Sequence, residues 1–223
     1  MADNHKAACT DREAIRRATA LFSEAEQARI AKAITTAEQA TSGEIVAVIA
    51  TECDSYLYAP FMWSALIALL VPWPLIFMTW MPVQHIFLIQ LIAFIALLLV
   101  LLPKPIRFAL IPRAVKHERA HRRAIEQFVS QDLHTTAGRT GVLIFVSVAE
   151  RYAEVLADVG IDAKVPPGTW RDIVDNLTAS IAAGRAADGF VNAITAAGQQ
   201  LAQHFPPGSA NPNELPNHLI VLD

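Results

Sequence analysis

From Ser55 through Pro103 the chain holds no Asp, Glu, Lys or Arg, and most of that stretch is Leu, Ile, Phe, Val, Met, Trp and Ala. About 20 apolar residues span the hydrocarbon core of a bilayer, so the run is too long for one crossing and suits two joined by a tight connection. The expected element is a transmembrane helical hairpin over 56–111, with spans at about 61–81 and 85–102. In the first span Pro72 and Pro74 lie near the middle and Trp63 and Trp80 near the ends, where amphipathic rings favour the headgroup region. Two prolines should kink that helix, and the carbonyls they free need partners from the second span or another chain.

The connection Met81-Pro82-Val83-Gln84-His85 carries no lysine or arginine, whereas Lys104, Arg107, Arg113, Lys116, Arg119, Arg122 and Arg123 follow the second span closely. By the positive-inside bias, the expected protein is a multi-pass one of the cell inner membrane with both termini cytoplasmic. The first twenty residues are charged and lack an apolar core segment, so no cleavable secretory signal is expected and the hairpin directs its own insertion. The cations after the second span can also contact anionic lipid headgroups. A net charge of -3 argues against nucleic-acid binding. The expected partners are therefore the lipid bilayer and another membrane protein or complex. Cys9 and Cys53 are far apart and form no CxxC pair, so neither a disulfide framework nor a structural zinc site is indicated.

Outside the hairpin the sequence reads as one domain in two pieces, 1–55 and 112–205, followed by an irregular tail over 206–223. Ser23-Glu24-Ala25-Glu26 is a capping box, and Ile30, Ile34 and Ala37 recur at helical spacing up to Ser42-Gly43. Glu44 to Thr51 is nearly all apolar and β-branched, which suits a buried strand. Pro112 opens a basic helix with a stripe of Ala114, His121, Ile125, Phe128 and Val129. Gly141 to Val148 is a second strand, joined through Ala149-Glu150-Arg151 to an alternating strand from Tyr152 to Asp158. Thr169 to Asp172 caps a helix carrying Trp170, Ile173, Val174, Leu177 and Ile181, and Asp188 starts another with Val191, Ile194 and Leu201. In the tail, Leu219 to Leu222 is the one stretch suited to a terminal strand.

Gly43-Glu44-Ile45-Val46, Arg139-Thr140-Gly141-Val142-Leu143-Ile144, Glu150-Arg151, the Val155-Leu156-Ala157-Asp158-Val159-Gly160-Ile161 segment and the closing pair of helices resemble a TPM domain. This is the family of thylakoid lumen phosphatase-like and photosystem repair proteins, and the chain resembles its bacterial membrane branch, in which a transmembrane hairpin follows the first strand. The resemblance implies an α/β class fold: a TPM-like α/β sandwich interrupted by the two-helix hairpin. It also implies a calcium- or phosphate-binding edge and a role assisting membrane complexes. The family's more acidic turn is Gly138-Arg139-Thr140-Gly141 here, a departure that bears on calcium and on phosphatase activity.

His117-Glu118-Arg119-Ala120-His121 spells HExxH, the helical spacing that places two imidazoles on one face for zinc with the glutamate as base. Lys116, Arg119 and Arg122 surround it with cations that repel a metal ion, so the expected role of His117 and His121 is packing and surface contact rather than metal binding. A polar set at the strand ends comprises Glu44, Arg139, Arg151, Asp158, Asp162 and Asp172. Grouped carboxylates can hold a hard cation such as calcium, and arginines can hold a phosphate in their planar fork, against the ordinary alternative of surface ion pairs. No GxSxG elbow, GxxxxGK[ST] loop, cysteine-phosphatase loop or DxDxT pattern occurs. The resulting expectation is a non-enzymatic accessory or interaction module that needs no cofactor. The alternative is a hydrolase, phosphatase-like at the Arg139 and Asp158 edge or a zinc protease at His117, Glu118 and His121.

Overall fold

The computed structural model describes residues 22–136, 138–207, 215 and 217–222. The first twenty residues, with the signal expectation and Cys9, lie outside the described residues, as does much of the tail. In chain order the elements are α1 (Glu24–Glu38), β1 (Glu44–Ala50), α2 (Tyr58–Leu70), α3 (Pro72–Met78), α4 (Val83–Leu101), α5 (Lys104–Ala109), α6 (Arg113–Ser130), β2 (Gly141–Ser147), β3 (Tyr152–Ala157), α7 (Val159–Asp162), α8 (Thr169–Ala182), α9 (Ala186–His204) and β4 (Leu219–Leu222). The chain divides into two compact units, a hairpin unit over 54–116 and a sheet unit formed by the residues on either side of it.

The sheet unit is built on four strands in the order β3-β2-β1-β4. β1 pairs in parallel with both β2 and β4, whereas β2 and β3 form an antiparallel hairpin. Every residue of β1 and β2 is buried, which explains their continuous apolar runs: helices cover both faces, so neither face needs polar alternation. Ile45, Ala47, Ile49, Val142, Ile144 and Val146 point to one face, where α1 brings Ile30 and Ile34, α8 brings Leu177, and α9 brings Phe190, Ile194 and Leu201. Full burial of each such aliphatic side chain is worth about 2 kcal/mol. The alternate residues Val46, Val48, Leu143 and Phe145 point to the other face, against Ala124 and Phe128 of α6 and against Leu133.

The capping box forms as expected: Glu26 N–H donates to Ser23 Oγ, and Ser23 N–H donates to Glu26 Oε2 at 2.9 Å. Along α6 the packed stripe differs from the expected one. Ala120, Ala124 and Gln127 are buried, while His121, Ile125 and Val129 are exposed. Alanines let the helix backbone come close to a flat sheet, and that close approach turns the larger aliphatic side chains outward. The helix after the β3 hairpin also starts differently, since Gly168 at φ 97 holds the N-cap position without a side-chain cap.

In the hairpin unit, α2 packs beside α4 and buries Ala59, Pro60, Ser64 and Ala68, while α4 buries Ile86. The spans run over Tyr58–Met78 and Val83–Leu101, each long and apolar enough to cross a membrane, and both start a few residues earlier than the hydropathy suggests. The first breaks at Val71, where Pro72 cannot donate to Ala68 O; that carbonyl accepts from Val71 N–H at 3.3 Å instead. Large apolar side chains such as Trp73, Phe77, Phe87 and Leu99 point outward. A small core of Tyr56, Ala59 and Ile111 closes the base, with the Tyr56 ring edge-on to Phe108 at 5.2 Å.

Candidate functional site

The starts of β1 and β2 lie side by side, Glu44 opposite Gly141, and β3 ends at the same edge, with Ala157 opposite Val142. Asp158 therefore emerges next to Gly141, and its N–H donates to Gly141 O at 3.0 Å. Its side chain caps α7: Oδ1 accepts from Val159 N–H at 2.7 Å. The second oxygen, Oδ2, is buried and has no hydrogen-bond partner among the described residues. Gly160 presses against the neighbouring turn so closely that a Cβ there would lie 2.6 Å from Arg139 O, so the Val159-Gly160-Ile161 segment admits no side chain at its centre. Arg139 is exposed at φ 50, in the left-handed region, and Asp162 is exposed on α7.

A third buried carboxyl joins this edge from α1. Glu38 Oε1 accepts from Ile45 N–H at 2.9 Å. Its pKa is pushed up to about 7, first by burial and then by the adjacent Glu44 carboxyl, against the lowering effect of the Ile45 hydrogen bond. Glu38 was not among the residues expected from the sequence. The signal was present, however: a glutamate ending a helix sits at the negative end of the dipole, where a carboxylate is disfavoured. Glu38 and Glu44 thus form a buried acid pair able to hold a proton near neutral pH.

The structure brings Glu44, Arg139, Asp158 and Asp162 to one edge and places Arg151 at the other. Arg151 lies in the turn between β2 and β3 at φ 51, one strand length from Asp158, or about 20 Å. Asp172 is exposed in the first turn of α8. Around the Arg151 turn, Ser147 Oγ donates to Glu150 Oε2, and Cys53 N–H donates to Glu150 Oε1 at 3.1 Å. Burial pushes the Cys53 thiol up to about 12; the Ser147 hydrogen bond opposes this and the Glu150 charge adds to it. Such a thiol is not a nucleophile at neutral pH. On the α8 side of this edge lies a cavity of about 580 Å³ lined by Phe22, Ile49, Val146, Arg151, Ile181 and Ala186 among others.

The HExxH segment occupies the exposed part of α6. His121 Nδ1 lies 2.8 Å from Glu154 Oε2 on β3, and Tyr152 O–H donates to the same oxygen at 3.0 Å. The His117 ring sits against Tyr152 with centroids 5.2 Å apart. Both imidazoles are thus directed at β3 side chains, in a ladder that ties helix to strand, while Glu118 lines a shallow outer groove with Arg122 and Ile125. Among the described residues no three His, Cys, Asp or Glu side chains converge closely enough to hold a metal ion.

A mixed sheet with one helix on one face and three on the other, closed at one edge by buried carboxyls, defines the class as an α/β sandwich. Residues 104–200, from the start of α5 into α9, match the family profile of the TPM domain. Among solved structures, the fold is similar to the NMR structure of the BA42 protein from the psychrophilic bacteria Bizionia argentinensis sp. nov.. The TM-score is 0.57 at 20% sequence identity, covering 90% of this chain and 94% of that chain. No curated protein matches the chain.

Proposed function

We propose that the protein is a TPM-domain module anchored in the cell inner membrane by its hairpin, both termini cytoplasmic, acting as a non-enzymatic accessory of a membrane complex. The observation that carries this reading is the hairpin unit itself: two long apolar helices turn their large side chains outward, and seven cations from Lys104 to Arg123 follow the second while none lies in the connection. The break at Val71, with Pro72 and Pro74, is the surface offered to the membrane partner. The test is alkaline carbonate extraction of membranes combined with reporter fusions at the C-terminus. Retention in the pellet with an active cytoplasmic reporter supports the reading; release into the supernatant, or an exported reporter, overturns it. Replacing Pro72 and Pro74 by alanine should weaken capture of a crosslinked partner more than it weakens insertion.

One observation favours a second reading. Asp158 presents a buried, unpartnered carboxylate oxygen beside the Arg139 turn, an arrangement suited to a phosphatase-like hydrolase. Asp158→Asn preserves the helix cap, because Asn and Asp are equivalent there, yet removes the charge. Phosphate release from p-nitrophenyl phosphate by the wild type, lost in that variant, would establish the hydrolase. Stoichiometric zinc by mass spectrometry, lost in His121→Ala, would instead move the function to His117 and His121.

A further inference from the structure

On the hairpin unit, Ala65, Ala68 and Leu69 of α2 and Phe87, Gln90 and Phe94 of α4 line a groove of about 350 Å³. Its walls are apolar except for one side chain. Gln90 lies eleven positions before the end of α4, which at 1.5 Å per residue puts it about 16 Å from that end, and Ala68 on the opposing helix falls at the same level. A hydrocarbon core is about 30 Å thick, so the Gln90 carboxamide sits near the bilayer midplane. No hydrogen bond joins this carboxamide to a described residue, and Ser64 Oγ, buried one helical turn from Ala68, also lacks a partner. A primary amide in hydrocarbon carries two donors and an acceptor with no water to satisfy them.

We infer that this groove is a contact surface for a second copy of the chain, in which Gln90 of each copy pairs with Gln90 of the other across a twofold axis. The chemistry selects that occupant. A carboxamide is self-complementary, its N–H donating to the oxygen of an identical group, so two copies satisfy each other with no further residue. Ala65 and Ala68 leave a notch where a helix can approach closely, as small residues do at helix contacts in membranes. An aliphatic residue at position 90 would keep the span apolar but remove the pairing. The inference rests on the membrane reading above, since in water the same amide would be solvated and would drive nothing.

The experiment co-expresses two differently tagged full-length copies and measures capture of one by the other from mild detergent, for wild type, Gln90→Leu, Gln90→Asn and Gln84→Leu. Carbonate extraction is run on each. The wild type should capture its second copy, Gln90→Leu should lower capture on the order of 3- to 10-fold, and Gln90→Asn and Gln84→Leu should retain most of it. An Ala65→Cys variant, at an exposed position of the groove and in a background lacking Cys9 and Cys53, should form a disulfide-linked dimer in oxidised membranes. Capture unaffected by Gln90→Leu, a monomeric wild type, or Gln90-dependent capture of a different membrane protein instead of the second copy overturns the inference. Release of the wild type by carbonate overturns the membrane reading itself, so the two failures are distinguishable.

Discussion

Glu38 carries a pH dependence that can be worked out in sign. Its carboxyl is pushed from 4.5 to about 7 in the folded chain, chiefly by burial, so between those values the folded state holds a proton that the unfolded state has lost. Its contribution to stability is fully present below pH 4.5 and is lost as pH rises through about 7. Glu38→Gln should remove this loss and stabilise the protein by on the order of 2 to 3 kcal/mol at pH 8, with little effect at pH 4.5. Urea unfolding of both proteins across that range checks it, and equal slopes of stability against pH would refute it. Cys53 offers a second check at this scale. With its thiol pushed up to about 12, alkylation at pH 8 in a Cys9→Ser background should be at least about a hundredfold slower in the folded protein than in urea. Rapid labelling of the folded protein would mean that the thiol is far less buried than its surroundings indicate.

At the scale of elements, packing depends on where side chains are missing. Gly198 on α9 meets α1 so closely that a Cβ would lie 2.6 Å from the Ala37 Cβ. Gly198→Val should therefore force the two helices apart and cost about 2 kcal/mol or more, read as a lower urea midpoint at unchanged slope. A stability within about 0.5 kcal/mol of wild type would mean that the helix pair absorbs the strain. The same reliance on small residues marks what could be read from the sequence. β1, β2 and the helices α1, α8 and α9 announce themselves by apolar runs or by Ile, Val and Leu at helical spacing, and they fall where expected. α6 does not, because its packed face is made by Ala120, Ala124 and Gln127, which hydropathy ranks below the exposed Ile125 and Val129. Of the candidate site, Glu44 and Asp158 were legible because they punctuate strand ends. Glu38 was not singled out because its partner arrives through the turn at Gly43, and the separation of Arg151 from Asp158 required knowing which strands run antiparallel.

For the whole molecule, the sheet unit holds a closed core on each face of its sheet without any residue of the hairpin unit. Replacing residues 54–112 by a flexible Gly/Ser linker of about 15 residues should therefore give a water-soluble protein that unfolds cooperatively. Size-exclusion chromatography and thermal unfolding check this, and aggregation or a featureless melt would show that the hairpin is required for the sheet to form. The order of the strands also has a consequence for how the chain is made. β1 is central, yet its neighbours arrive about 100 residues later as β2 and more than 170 residues later as β4. Between β1 and β2 the ribosome must deliver both apolar helices. A strand whose seven residues are all buried in the finished fold thus waits unpaired throughout synthesis of the hairpin, and the sheet closes only when the final strand leaves the exit tunnel. Both apolar helices are thus made before the domain around them can fold, and any delay in completing that stretch lengthens the time during which β1 is open to aggregation.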